Sequence, residues 1–365
     1  FRKQNNGKSP DVDTVFQKLD NQSVDDIPIA LQYYYISNNE NPLGSKHLLD
    51  RAGEASSYSE YHSQVHPVFR NYLEKFGYYD IFLVDIDSGL IVYTVFKELD
   101  FATSLINGPY ANTKLGEAFR KAKDADKGET ALVDYGTYFP SYETPANFIA
   151  SPIFNNEDKK IGVAIFQINI GRLNDVMSER AGLGETGETY LVGPDLLMRT
   201  DSFLDPENHT VAASFKNPDK GKVDTEAAKA AISGETNAKV INGYNGSPVL
   251  SAYSPVKIGD ITWGLLAEVD VTEAFCPKDD NGEYFFAKYI EKYGYYDLFL
   301  INPDGYCFYT VAKEADYQTN LANGKFSSSN LGELFRQVLK TKQYGITDFK
   351  PYAPSNNEPA SFIAQ

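Results

Sequence analysis

The sequence predicts an α+β protein made of tandem modules with antiparallel sheets behind a helical N-terminal stalk. Three observations predict it. One long segment recurs about 216 residues further on. Each copy reads as strand, turn, strand, helix and further strands. The stretch before the first copy has helical spacing instead. At 365 residues the chain exceeds what one hydrophobic core usually serves, which also favours several domains.

The repeat pairs GYYDIFLVDIDSGLIVYTVFKELDFATSLINGPYANTKLGEAFR, from Gly77 to Arg120, with GYYDLFLINPDGYCFYTVAKEADYQTNLANGKFSSSNLGELFR, from Gly294 to Arg336. DYGTYFPSYETPANFIA, from Asp134, likewise matches DFKPYAPSNNEPASFIA, from Asp348. In each copy an apolar run, a turn (DIDSG or NPDG) and a second apolar run predict a β-hairpin. Leu115, Ala118 and Phe119 have helical spacing, and strands follow near 147–154 and 161–168. A unit of the same grammar lies between the copies: ETYLVGPDLLMRT from Glu188, the helix TEAAKAAI from Thr225, then AKVIN, PVLSAYSPV and ITWGLLAEVD.

The expected division is therefore a stalk over 1–76, a first module over 77–175, a second over 176–272 and a third, incomplete module over 273–365 that repeats the first. The third lacks a counterpart of GVAIFQI and should be one strand short. In the stalk, VDTVFQKL, KHLLDRAGEA and VFRNYLEKF have helical spacing, and Pro28, Pro42 and Pro67 are points where a helix starts, kinks or stops. The segment is either a helical layer on the first module or a stalk rising from a membrane. The absence of an initiator Met suggests a fragment of a longer protein.

A net charge of -16 repels phosphate backbones, so no nucleic-acid partner is expected. No run of about 18 apolar residues is present to span a bilayer. Cys276 and Cys307, the only cysteines, exclude a disulfide-rich scaffold or four-cysteine metal site. They form one bridge or two separate thiols.

Chemistry is sparse. There is no G-x-S-x-G, and none of His47, His62, His66 and His209 lies in a context typical of a catalytic base. No enzyme is expected. His62 and His66 stand at i, i+4, but without H-E-x-x-H they read as surface or packing residues rather than metal ligands. Asp279, Asp280, Asn281, Gly282 and Glu283 lack calcium-loop spacing and read as a polar turn. GLGETGE, from Gly182, precedes a strand rather than a helix, the wrong context for phosphate. No cofactor is implied.

What remains is the aromatic, turn-rich stretch from Asp134 to Pro152, suited to a small pocket. If Asp134 faces inward, an amine or zwitterion satisfies it, with Tyr135, Tyr138, Tyr142 and Phe148 as cation–π walls. Otherwise Asp134 caps a turn and the aromatics are core. The segment would close against the strand bearing Tyr93, with Lys97 and Tyr110 as contacts on the open side. Tyr309, Lys313, Asp348, Tyr352 and Phe362 are a possible second site in the repeat copy.

GYYDIFLVDIDSGLIVYTVFKELDFATSL, PSYETPANFIASPIF and ERAGLGETGETYLVGPD together resemble the double Cache (dCache/PDC, PAS-like) extracytoplasmic sensor domains of bacterial chemoreceptors, the methyl-accepting chemotaxis proteins, and of sensor histidine kinases. The resemblance covers nearly the whole chain. It implies tandem PAS-like modules, a small-molecule pocket in the membrane-distal first module, a homodimer, and periplasmic placement through membrane helices outside this sequence. The amino-acid-binding subset carries Arg-x-Trp-Tyr and a closing-strand Asp. Here the one Trp, Trp263, lies outside the first module, and Gln167 stands where that Asp would fall. A chemoreceptor is the favoured reading; the alternative is a structural or protein-docking ectodomain that recognises a periplasmic binding protein.

Overall fold

The computed structural model describes residues 26–276, 278 and 281–365. The predicted helical piece VDTVFQKL, and Asp279 and Asp280 of the polar turn, lie outside the described residues.

The helical layer begins with α1 (Asp26–Gln32), which runs into a π-turn over Tyr33–Ser37. The expected helix at KHLLDRAGEA is reduced to a single 3₁₀ turn, Lys46–Leu48. The long helix α2 (Ser57–Phe76) is capped by the Ser56 hydroxyl, which accepts from Ser59 N, and it continues through Pro67. It ends on Gly77 at φ +72°, a left-handed cap that glycine adopts without penalty.

The strands β1 (Tyr78–Asp85) and β2 (Ile91–Thr94) form the predicted hairpin. Helix α3 (Lys114–Asp124) follows, then β3 (Ala131–Thr137), β4 (Pro145–Phe154) and β5 (Lys160–Ile168). They make one antiparallel sheet of order β2-β1-β5-β4-β3. Alternation along the strands buries Phe82, Val84, Phe148, Val163 and Ile165 against Leu115, Ala118 and Phe119 of α3. Full burial of a side chain such as Phe119 is worth about 1.5–3 kcal/mol. The opposite face, with Ile81 and Tyr93, packs under Leu73 and Phe69 of α2.

Helix α4 (Ile170–Met177) leads to β6 (Glu188–Val192), the short helices α5 (Val211–Lys216) and α6 (Pro218–Gly221), α7 (Glu226–Ser233), and the strands β7 (Asn237–Asn242), β8 (Pro248–Ile258) and β9 (Ile261–Asp270). The sheet order β6-β9-β8-β7 matches β1-β5-β4-β3 of the first module, with β2 reduced to the isolated bridge between Val192 and Met198. The middle unit is thus the same topology with one strand eroded.

Helix α8 (Val271–Phe275) is followed by α9 (Phe285–Tyr293), β10 (Phe299–Ile301), β11 (Cys307–Thr310), α10 (Asn330–Thr341) and four short strands: β12 (Gly345–Ile346), β13 (Lys350–Tyr352), β14 (Glu358–Ala360) and β15 (Ile363–Ala364). Strand β10 pairs with β11 alone, and no described strand takes the place that β5 holds in the first module. Cys276 and Cys307 are buried free thiols. Among the described residues no helix is long and apolar enough to cross a membrane, and no group of three His, Cys, Asp or Glu is placed to hold a metal ion.

Candidate functional site

Two loops close over one end of the first sheet, one after β2 and one between β3 and β4. Asp80, at the start of β1, fastens the first. Its Oδ1 accepts from Ile81 N (2.7 Å), Val95 N (2.9 Å) and Phe96 N (3.1 Å), and its Oδ2 from the Thr94 hydroxyl (2.8 Å). Thr94 Oγ1 in turn accepts from Lys97 N at 3.0 Å. The loops hold non-glycine residues at positive φ: Lys97 and Ala102 in one, Tyr142 and Glu143 in the other. Each costs on the order of 1–2 kcal/mol, strain that the surrounding bonds must over-determine.

Beneath them lies a buried acidic cluster. Tyr138 donates to Asp100 Oδ2 at 2.5 Å, while Asp100 Oδ1 is buried with no well-aligned donor, approached only loosely by its own N–H and that of Phe101. Glu98 accepts from Tyr79 OH (2.9 Å) and the Ser141 hydroxyl (3.2 Å), and Gln167 Nε2 donates to Ser141 Oγ at 3.1 Å. Asn147 Oδ1 is also buried without a partner. Three carboxylates, Asp80, Glu98 and Asp100, share this region with one ammonium, that of Lys97. Burial, with repulsion from Asp100 and Asp80, pushes Glu98 up to about 8. Burial, offset in part by the Tyr138 bond, pushes Asp100 up to about 7. Burial raises Asp80 and lowers Lys97, whose charges support each other. A cationic hydrogen-bond donor entering here would find ready acceptors and replace protons as the counter-charge.

The structure brings Tyr138, Phe148 and Tyr110 together: the Tyr138 ring lies 5.3 Å from Phe148 and 6.2 Å from Tyr110. Tyr110 and Lys97, expected on the open side, are both buried. Lys97 Nζ sits 4.3 Å from the Tyr93 ring centroid and 5.0 Å from that of Phe101, with Tyr35 at 5.7 Å. The chain's own lysine therefore fills an aromatic cage. Tyr93 faces α2, where its hydroxyl meets His66 Nδ1 at 2.8 Å, so the strand face it occupies is not the one against which the β3–β4 segment closes. Tyr142 is exposed. His62 and His66 are packing residues, stacked at 4.4 Å; burial lowers them to about 2 and about 4.

Asp134 does not face the acidic cluster. Arg199 Nε and Nη2 reach its two oxygens at 2.8 Å each, and Trp263 Nε1 donates to Oδ1 at 3.1 Å. Arg199 and Trp263 belong to the second module, whose bidentate donor outcompetes any amine for this carboxylate. Tyr135 goes with it, packing in the second module's core 6.0 Å from the Trp263 ring. In the third module Tyr352 and Phe362 meet at 4.8 Å, whereas Lys313 and Asp348 are exposed and Tyr309 packs against Phe286 of α9.

The turn at GLGETGE does bind an anion, the chain's own. Glu273 of α8 accepts from Glu185 N and Thr186 N at 2.7 Å each, and from the Thr186 hydroxyl. Along α2, Tyr61, Val65, Val68, Tyr72 and Phe76 are exposed at spacings of four, three, four and four. This stripe escapes a reading of apolar periodicity because Ser59, His62, His66 and Leu73 occupy the buried face.

No protein-family model matches the chain, and no curated protein does. Solved structures similar to it include the periplasmic sensory domain of the Campylobacter jejuni chemoreceptor Tlp1, at 14% identity over 69% of this chain and 92% of that one, TM-score 0.42. The ligand-binding domain of the Pseudomonas aeruginosa amino-acid chemoreceptor PctB, in complex with L-Arg, is 16% identical over 60% of this chain and 82% of its own, TM-score 0.39. That of PctC from the same organism, in complex with GABA, is 14% identical over 67% and 94%, TM-score 0.39. Likenesses this loose carry no argument about function. The strand order and the acidic cluster stand without them.

Proposed function

We propose that this chain is the extracytoplasmic ligand-sensing region of a transmembrane signal-transduction receptor, a chemoreceptor in preference to a histidine kinase, and not an enzyme. Its first module takes a small cationic hydrogen-bond donor, a protonated amine or the ammonium of a zwitterion. The site is formed by Glu98, Asp100, Tyr138 and Ser141, not by Asp134. One observation carries this reading: a buried cluster with an excess of carboxylates, one of whose oxygens has no well-aligned donor, under loops held in strained backbone.

The same strand supplies the output. Tyr138 follows directly on β3, whose Asp134 grips Arg199 of the second module. A ligand that takes over Asp100 from Tyr138 shifts β3 against the second module, provided it binds the shifted state more tightly. Two copies pair along the exposed stripe of α2. Its spacing suits a self-complementary seam, flanked by the uncharged Gln64 and Asn71 with Glu60 and Lys75, of opposite sign, at the two ends of the same edge.

A thermal-shift screen of amines, amino acids, carboxylates and purines tests the site. A ligand at 100 times its dissociation constant should add about 2.7 kcal/mol of stability. The expected hit is an amine or zwitterion whose effect is lost in Asp100→Asn. A carboxylate or purine hit that survives that change would overturn the proposal, and silence across the panel would favour docking of a protein partner.

A further inference from the structure

Most bonds of the first module's acidic cluster recur in the third. Tyr352 donates to Asp316 Oδ2 at 2.5 Å, as Tyr138 does to Asp100. Both aspartates are fully buried, and in both Oδ1 has no well-aligned donor, only loose approaches from its own N–H and that of the next residue. Glu314 accepts from Tyr296 OH (2.6 Å) and the Ser355 hydroxyl (2.5 Å), the bonds that Glu98 receives from Tyr79 and Ser141. Asp297 accepts from Leu298 N, Val311 N and Ala312 N at 2.7–3.0 Å, repeating the three backbone bonds of the Asp80 anchor, but its Oδ2 has no well-aligned donor where Asp80 Oδ2 accepts from Thr94.

The backbone recurs as well. Lys313, Gln318, Asn356 and Asn357 have φ of +50°, +60°, +55° and +63°, where Lys97, Ala102, Tyr142 and Glu143 have +58°, +59°, +59° and +63°. A framework requirement alone would be met by tying the loops together. The anchor Asp297 also leaves an oxygen, Oδ2, without a well-aligned donor, but only in the third copy; what sets Asp100 and Asp316 apart is that the same oxygen is left so at the same place in both, a cost met twice.

We infer that the third module carries a second recognition site of its own, formed by Asp316, Glu314, Tyr352 and Ser355, for the same chemical class of ligand: a small protonated amine. The inference rests on the reading of the first module for its ligand class, but not for its geometry. The two sites differ in selectivity. Asn147, whose Oδ1 is unpartnered in the first module, is replaced by Ser361, whose hydroxyl is turned to Thr347 O at 2.7 Å. Lys97 is enclosed by Tyr35 and Phe101 from the layers above it, whereas its counterpart Lys313 is exposed. The third site thus lacks the neighbouring caged ammonium of the first.

Isothermal titration of the 365-residue chain with methylamine, ethanolamine and putrescine in turn counts the sites. Two sites per chain are expected for at least one probe, one of them lost in Asp316→Asn and in Tyr352→Phe, the other in Asp100→Asn. Tyr352→Phe keeps the carboxylate, so loss there with an unchanged circular dichroism spectrum is not misfolding. A single site abolished by Asp100→Asn and untouched by both third-module variants overturns the inference and leaves the first-module reading standing. A single site abolished only by the third-module variants does the reverse, and absence of heat with all three probes contradicts both.

Discussion

Arg199 of the second module and Asp134 of the first form a bidentate pair, with Nε and Nη2 each 2.8 Å from a carboxylate oxygen. The Arg199 side chain is 2% exposed. Removing the carboxylate leaves a buried guanidinium short of counter-charge, so Asp134→Ala should cost about 3 kcal/mol. Asp134→Leu combined with Arg199→Leu should recover much of the loss. A third variant reaches the pair remotely: a Cβ on Gly193 would lie 2.0 Å from Arg199 Nη2, so Gly193→Ala should destabilise in the same direction. Thermal melts of the four proteins test this; a double variant no better than Asp134→Ala would show that the pair is not a unit.

Stability should depend on pH through Glu98. Its carboxyl is raised to about 8 in the folded state, against an ordinary value near 4.5. The folded protein therefore holds more protons than the unfolded chain, and this contribution to stability is lost as pH rises towards 8. Between pH 6.5 and 8 the loss is about 1–2 kcal/mol. His62 and His66, lowered by burial, act the opposite way: half protonated in the unfolded chain near pH 6.5, they each add about 0.4 kcal/mol by pH 8. Lys97, also lowered, adds stability with rising pH and masks part of the slope. Glu98→Gln should make the melting temperature rise relative to wild type as pH goes from 6.5 to 8. Parallel curves would show that Glu98 is ionised throughout.

The α2 stripe should be the dimer seam. Val68 and Tyr72 are 67% and 44% exposed, so an aspartate at either position meets its own copy across the seam without disturbing the core. Sedimentation analysis should give a wild-type dimer and monomeric Val68→Asp and Tyr72→Asp. A dimer that survives both changes must use another surface.

Glu273 holds the turn between the first two modules by two backbone N–H groups and a hydroxyl. Glu273→Ala should raise amide exchange at Glu185 and Thr186 by tenfold or more, since each bond to a charged acceptor is worth about 1.5–3 kcal/mol. Unchanged protection there would mean that Arg180, which also bonds Gly184 O and Glu185 O, holds the turn alone.

The repeat made the fold legible. Hairpin signals, the Leu115, Ala118 and Phe119 spacing, and the strands of the middle unit all fall on observed elements. Strand β3 is hidden because it runs into the turn-rich stretch from Asp134, where Asp134 and Gly136 interrupt its alternation. The site was legible in part. Tyr138 and Phe148 lie at the cluster, but its acids, Glu98 and Asp100, stand in KELD, which reads as an ordinary charged loop. The available signal is KEAD in the second copy, whose Asp316 stands 36 residues before Tyr352 as Asp100 stands 38 before Tyr138. Asp134 misled because its partner, Arg199, is 65 residues away in a different module, and no local pattern announces a contact across modules.

The most direct measurement is calorimetric titration of the amine found by the screen, run at pH 7 in two buffers of different ionisation enthalpy. A cation settling on Glu98 and Asp100 must displace the protons they hold, so binding should release about one proton per site, with affinity rising from pH 6 to 8. Binding with no proton released and no pH dependence would contradict the acidic cluster as the site.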